Sequence, residues 1–157
     1  MEDISPSERP DALGRLDVFV GEWVLEARFP DATDETGLEI RTTFEWILDG
    51  RYLVQRTHVP VPEAPDSVTI VCTDPQTGGY SQHYYDSRGV TRRYAMSLDA
   101  GVWRLVRDAP DFSPLDFCQR FTGTFSDDRT TINGEWEKSP DGATWSHDFV
   151  LTYRRAG

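Results

Sequence analysis

After Phe19 this chain shows strand-like runs at regular intervals and almost no helical period. Short stretches of alternating apolar and polar residues, punctuated by Gly, Pro, Asp and Ser, restrict it to an all-β architecture. Ten runs can be read, at about 20–29, 37–48, 51–59, 67–74, 79–86, 89–98, 101–107, 115–126, 129–138 and 143–154. Their connections alternate in character. Asp49-Gly50, Asp99-Ala100 and Asp127-Asp128 read as tight two-residue hairpin loops. The segments "PDATDET", "VPVPEAPD", "DAPDFSP" and "SPDG" are mostly longer and carry proline. If the strands run up and down, the tight turns gather at one end and the longer connections, with "SRG" among them, at the other. One end is then closed and the other is a mouth.

The stretch "PDALGRLDVFV" precedes the first run and reads as a short helix. Pro10 suits a first turn, and Leu13, Leu16 and Phe19 fall near one side. The first strand starts at the closed end, so this helix is placed to plug it. Residues 1–9 read as a polar tail, and residues 10–157 as one barrel domain. The "VPVPEAPD" segment reads as a stiff connector or as a lid over the mouth.

Hairpin register assigns the inward face, because residues flanking a tight loop pair directly and share a side of the sheet. Across 49–50, Phe44, Trp46 and Leu48 then face the same way as Arg51, Leu53 and Gln55. Across 99–100, Met96 and Tyr94 are expected opposite Trp103 and Leu105, and Arg92 opposite Arg107. Across 127–128, Phe125, Phe121 and Gln119 are expected opposite Thr130, Gly134 and Trp136. Around "SRG", a two-residue loop puts His83 and Tyr85 on the face of Arg92 and Tyr94, whereas a three-residue loop substitutes Gln82 and Tyr84. In the last run, Trp145, His147, Phe149, Leu151 and Tyr153 share a stripe. Passing through "SPDG", Trp136 is expected opposite Trp145 and Gly134 opposite His147. A glycine between Phe121 and His147 would leave a recess in the wall. Ten strands also enclose more space than side chains readily fill, since eight already hold one small ligand.

Composition narrows the partners. The net charge of −11 and pI near 4.6 argue against nucleic acid or an anionic membrane, both of which call for a basic surface. Five Trp, six Tyr and eight Phe supply large rings for a β-rich interior. Cys72 and Cys118 stand in strand-like runs without metal-ligand spacing, and read as reduced core or wall residues. "MEDISPSERP" has no apolar leader segment and no apolar run suits a membrane span, so the expected location is the cytoplasm. The expected partner is a small molecule, and the protein is expected to be a monomer or a homodimer.

The stretch "FVGEWVLEARF", Phe19 to Phe29, resembles the G-x-W opening of lipocalin-like, or calycin, β-barrels. The tripeptide occurs three times, at Gly21, Gly101 and Gly134, but only Gly21–Trp23 follows a short helix and opens the first strand. The longer stretches "FEWILDGRYLVQR", "QHYYDSRGV" and "RFTGTFSDDRTTINGEWEKSPDG" resemble a family of small, largely uncharacterised bacterial lipocalin-like barrel proteins. That resemblance spans residues 13 to 155. It implies an all-β, single ten-stranded antiparallel up-and-down lipocalin-like barrel, with a ligand cavity and no stated reaction. A more distant likeness is to nitrobindin-type haem barrels, where the matching position of His147 implies a haem ligand.

The candidate ligand-binding residues are Trp46, Gln55, His83, Tyr85, Arg92, Tyr94, Trp103, Arg107, Gln119, Phe121, Trp136 and His147. The tryptophans and Phe121 supply apolar area, while Arg92, Arg107 and His147 orient the ligand. Two inward guanidinium groups are costly to bury without anions. Either a rim carboxylate (Asp86, Asp108 or Asp116) answers them, or a strand is displaced by one residue, or the ligand carries the anion. His147 is read as a core histidine bonded to a neighbour, as a ligand contact, or as a haem ligand.

Three functions follow. The first is a cytoplasmic binder of a small hydrophobic molecule, aromatic by the character of the wall and acidic if the ligand answers the arginines. The second is a cofactor-free isomerase or cyclase in the same cavity, with His83, His147 or Tyr94 as general acid or base. The third is a haem-binding barrel with His147 as axial ligand. Only this last reading calls for a cofactor, and no metal site is expected otherwise.

Overall fold

The computed structural model describes residues 11–29, 39–62, 64–112 and 114–156. The expected tail at 1–9 and the whole "PDATDET" connection lie outside these residues.

Ten antiparallel strands close into one up-and-down barrel in which each strand pairs with its sequence neighbours and β1 pairs with β10. The strands are β1 (Gly21–Arg28), β2 (Ile40–Ile47), β3 (Tyr52–His58), β4 (Ser67–Thr73) and β5 (Tyr80–Asp86). They continue as β6 (Thr91–Asp99), β7 (Val102–Arg107), β8 (Cys118–Phe125), β9 (Thr131–Ser139) and β10 (Ser146–Arg155). Closure leaves no open sheet edge.

The helix ahead of β1 does plug one end. One turn of α-helix, α1 (Asp11–Gly14), runs into a 3-10 helix over Arg15–Phe19. A 3-10 helix turns every three residues, which stacks Leu16 over Phe19 on one side, in line with Leu13. All three are buried, each burial contributing about 1.5–3 kcal/mol. Polar latches fix the plug. The Trp23 indole N–H donates to Phe19 O at 2.8 Å, and the Tyr80 hydroxyl donates to Ala12 O. Arg155, at the end of β10, stacks 4.2 Å over Trp23 and donates to Val20 O and Val18 O. Trp46 is also turned to this end, donating to Asp17 Oδ1 at 2.8 Å.

Turn chemistry shifts two of the expected registers by two residues. Ala100 and Gly101 both adopt positive φ (51° and 76°), so they form the hairpin loop in place of Asp99-Ala100. Met96 therefore pairs with Leu105, and Leu98 with Trp103. At the next hairpin, Phe121 pairs with Trp136 and Gly123 with Gly134. A shift of two leaves every side chain on its expected face and changes only its neighbours. The β2–β3 register is as expected, with Phe44 opposite Gln55 and Trp46 opposite Leu53, but Leu48, at φ 51° and 68% exposed, belongs to the turn and leaves the inward stripe.

Two corrections change faces. "SRG" is a three-residue loop, with Gly89 at φ 86° and the Asp86 N–H donating to Val90 O at 3.1 Å. Gln82 then lies opposite Tyr94 and Tyr84 opposite Arg92. His83 and Tyr85 are on the outer face. In β10 a bulge falls between His147 and Phe149, with His147 opposite Glu137 and Phe149 opposite Trp136. The extra residue, Asp148, breaks the period-two alternation. Phe149, Leu151 and Tyr153 stay inward, but His147 turns out. Leu151, not His147, lies opposite Gly134.

Candidate functional site

Above the plug, the barrel holds a cavity of about 460 Å³, within the size range of small-molecule sites. Its walls differ by strand. In a closed ring of ten, each strand faces the one five places away, so β10 faces β5, β9 faces β4, β1 faces β6 and β8 faces β3. Strands β8, β9, β10 and β1 line the cavity with Phe121, Trp136, Phe149, Leu151 and Leu25. Strands β3 to β6 line it with Gln55, Thr69, Gln82, Tyr84, Arg92 and Tyr94. An apolar aromatic wall therefore looks across at a polar one.

The rings form a continuous series from plug to mouth. Phe19 meets Trp103 edge-on at 4.8 Å, and Trp103 meets Phe121 at 4.9 Å. Phe121 lies 5.2 Å from Trp136, which stacks on Phe149 at 6.4 Å, and Phe149 is 4.8 Å from the exposed Phe29. Such pairs add about 0.5–1.5 kcal/mol each beyond burial, so this wall is stiff. Phe121 also fills the expected recess: an added Cβ on Gly134 would sit 2.5 Å from its ring.

The polar side chains form three small networks, two of which reach across to Tyr153 on β10 and Gln119 on β8. Near the plug, Gln55 Nε2 donates to Thr42 Oγ1 at 3.1 Å, and Thr69 Oγ1 donates to Gln55 Oε1 at 3.2 Å. Burial pushes the Tyr153 phenol up to about 12, against the smaller opposite effect of a hydrogen bond with Gln55. Higher up, Gln119 Oε1 accepts from Tyr94 at 3.1 Å and from Arg92 Nη1 at 3.3 Å. At the rim, Asp86 Oδ2 accepts from Tyr84 at 2.8 Å and from Arg88 Nη2 at 2.7 Å. Burial raises the Asp86 carboxyl. The opposing bonds from Arg88, Tyr84 and the Arg88 and Val90 backbone N–H groups outweigh it and hold the acid at about 2. Burial also raises the Tyr84 and Tyr94 phenols, so at neutral pH both remain hydrogen-bond donors.

Two buried polar atoms have no hydrogen-bond partner among the described residues, Gln82 Oε1 and Trp103 Nε1. Both residues line the cavity. Leaving such a group unpaired costs about 1–3 kcal/mol.

Of the residues expected at the site, the cavity brings together Gln55, Arg92, Tyr94, Trp103, Gln119, Phe121 and Trp136. Five do not line it. Trp46 braces the plug through Asp17. His83 bonds Ser81 Oγ on the outer face, and Tyr85 is 38% exposed there. Arg107 is on the inner side but is claimed by Asp111, at 2.9 and 3.0 Å, with both side chains 3% exposed. None of the three rim carboxylates expected as its partner takes that place. Asp111 also accepts from the Arg93 N–H at 2.8 Å, tying the β7–β8 loop to β6. His147 bonds Glu135 Oε1 at 2.8 Å in the solvent.

A haem held by His147 does not fit this arrangement. The other histidines are also outside, with His58 exposed and bonded to Asp66 at 3.0 Å. No imidazole lines the cavity.

Several lining residues escaped the reading of the sequence. Tyr84 and Gln82 were available through the three-residue loop, and Gly89 at its last position was the signal for it. Thr69 and Leu25 belong to runs without a tight hairpin to set their phase.

No protein-family model matches this chain, and neither does any curated protein. Among solved structures, the crystal structure of Rv2717c from M. tuberculosis is similar in fold, with a TM-score of 0.59. Its sequence is 13% identical, and the match covers 94% of this chain and 99% of that one. At that identity the likeness concerns the fold alone, a small closed β-barrel.

Proposed function

We propose that this barrel binds a small, planar aromatic molecule in its central cavity. The observation that carries the reading is the pairing of walls: a series of rings on β8 to β10 faces hydrogen-bonding side chains on β3 to β6. A flat ligand can lay its face on the rings and present its edge to the polar wall, which rewards aromatic over aliphatic shape. A polar wall alone would favour water, and a purely apolar one would favour lipid chains. Binding is favoured over catalysis because the imidazoles first considered as acid or base are on the outer surface. The phenols that remain inside act as donors.

The test is titration with phenylnaphthylamine, a neutral aromatic dye that fluoresces in apolar surroundings. Wild-type protein should enhance the dye saturably at one site. Leu151→Trp, which fills the cavity from β10, should abolish the enhancement, and His147→Ala should leave it unchanged. Equal binding by Leu151→Trp would place the dye elsewhere and defeat the proposal.

A further inference from the structure

Resting on that reading, we infer that the ligand is two-headed. It carries an acidic oxygen at the mouth end and a hydroxyl or amide at the inner end of one flat aromatic frame. The mouth-end argument starts from three arginines. Arg88 is neutralised by Asp86, whose side chain is fully shielded, and Arg107 by the buried Asp111. Arg92 also lines the cavity, yet among the described residues it pairs with no carboxylate: it bonds the neutral amide of Gln119, interacts with the Tyr94 phenol and rests 5.8 Å over the Phe117 ring. It is therefore the cation with charge to offer. Beside it the Tyr94 hydroxyl, donating to the same Gln119 oxygen, can turn to an incoming anion.

The inner-end argument starts from Gln82. The residue is 4% exposed, it lines the cavity, and its amide oxygen has no donor among the described residues. An inner group that donates a hydrogen bond answers this oxygen, which selects a hydroxyl or an amide over an ether or a methyl. Register sets the spacing. Gln82 is level with Tyr94 and Tyr84 with Arg92, so the two heads are separated by two residues along a strand, about 7 Å. A two-ring aromatic frame spans that distance.

The experiment is isothermal titration of three probes: methylnaphthalene, naphthoate, and the hydroxynaphthoate whose hydroxyl is at the far end from the carboxylate. Wild type should bind naphthoate more tightly than methylnaphthalene, and the hydroxynaphthoate roughly tenfold more tightly again. Arg92→Met should erase the first preference and keep the second, whereas Gln82→Leu should erase the second and keep the first. If methylnaphthalene binds and neither head adds affinity to wild type, the two-headed inference is overturned and the aromatic reading stands. If the phenylnaphthylamine dye and all three probes fail to bind wild type, the aromatic reading falls with it. The wild-type comparison needs no variant to fold, so a destabilised Gln82→Leu leaves the inference exposed to refutation.

Discussion

Replacing Gly134 by alanine probes how tightly the aromatic wall is built. Gly134 on β9 lies opposite Gly123 on β8 and Leu151 on β10. The Phe121 ring occupies the space over both glycines. A Cβ on Gly134 would approach Phe121 Cε2 and Cζ at 2.5 Å and Leu151 O at 2.6 Å. The ring can tilt only by disturbing its packing on Trp103 and Trp136, and the carbonyl belongs to a paired ladder. Two effects oppose each other. Alanine restricts the unfolded chain and would stabilise an unstrained strand by about 0.5–1 kcal/mol. Overpacking of this kind costs about 1–3 kcal/mol, so strain wins. With contacts of 2.5 and 2.6 Å, one of them to backbone, the strain falls in the upper half of that range and the net loss is about 1–2.5 kcal/mol. For a chain of this size each kcal/mol shifts Tm by about 2–4 °C, so the expected fall is roughly 2–10 °C. Urea unfolding followed by tryptophan fluorescence should show a lower midpoint at unchanged slope. Gly123→Ala is an internal control: its nearest contacts are longer, 2.9 Å to Phe121 and 3.0 Å to Ile132, and none of them is backbone. It should cost less. In a Phe121→Leu background the Gly134→Ala penalty should shrink without vanishing, because the Leu151 carbonyl stays. A Gly134→Ala protein as stable as wild type would refute the packing argument.

Two further outcomes follow from the buried charges. Asp111→Ala leaves the Arg107 guanidinium 3% exposed without its carboxylate, which should cost about 3–5 kcal/mol in chemical denaturation, while Arg107→Met with Asp111→Leu should recover most of it. A loss below about 1 kcal/mol would mean that the β7–β8 loop opens and hydrates the arginine. Asp86, held at about 2 against an ordinary 3.8, has a folded value below its unfolded one. Its stabilisation is complete above the unfolded value and is lost as pH falls through about 2. The difference corresponds to roughly 2 kcal/mol. Wild type should therefore lose that much more than Asp86→Asn between about pH 5 and pH 2, and parallel stability curves would contradict the assignment.

The faces of most strands were legible because period-two patterning tolerates an error of two. Misplacing the 100–101 turn gave Trp103 the wrong partner and the right direction. Asp-Ala looks as turn-like as Ala-Gly by composition, and what settles the loop is the φ of 76° that Gly101 accepts. The bracing role of Trp46 was illegible for a different reason: inward direction alone does not distinguish the plug end from the cavity. Arg107 was read as inward and costly, which it is, but Asp111 comes from a loop whose path no pattern predicts.

Errors of one residue are another matter, and β10 shows why. Ser146, His147 and Asp148 are three polar residues in a row, which an alternating strand cannot sort into faces, and the bulge resolves them outward. His147 finds Glu135, Lys138 lies 4.0 Å from Asp148, and Trp145 stacks 4.2 Å from the Arg120 guanidinium. Beyond the bulge, Phe149, Leu151 and Tyr153 re-enter the apolar stripe in phase with Trp136 and Leu25. A histidine at that point of the stripe suggested a ligand contact. The polar triplet around it was the stronger signal, since burying His147 inward would also have stripped Glu135 of its partner. With the imidazole outside, the polar side chains that line the cavity are arginine, tyrosine, glutamine, serine and threonine, whose chemistry is charge and hydrogen bonding, not coordination.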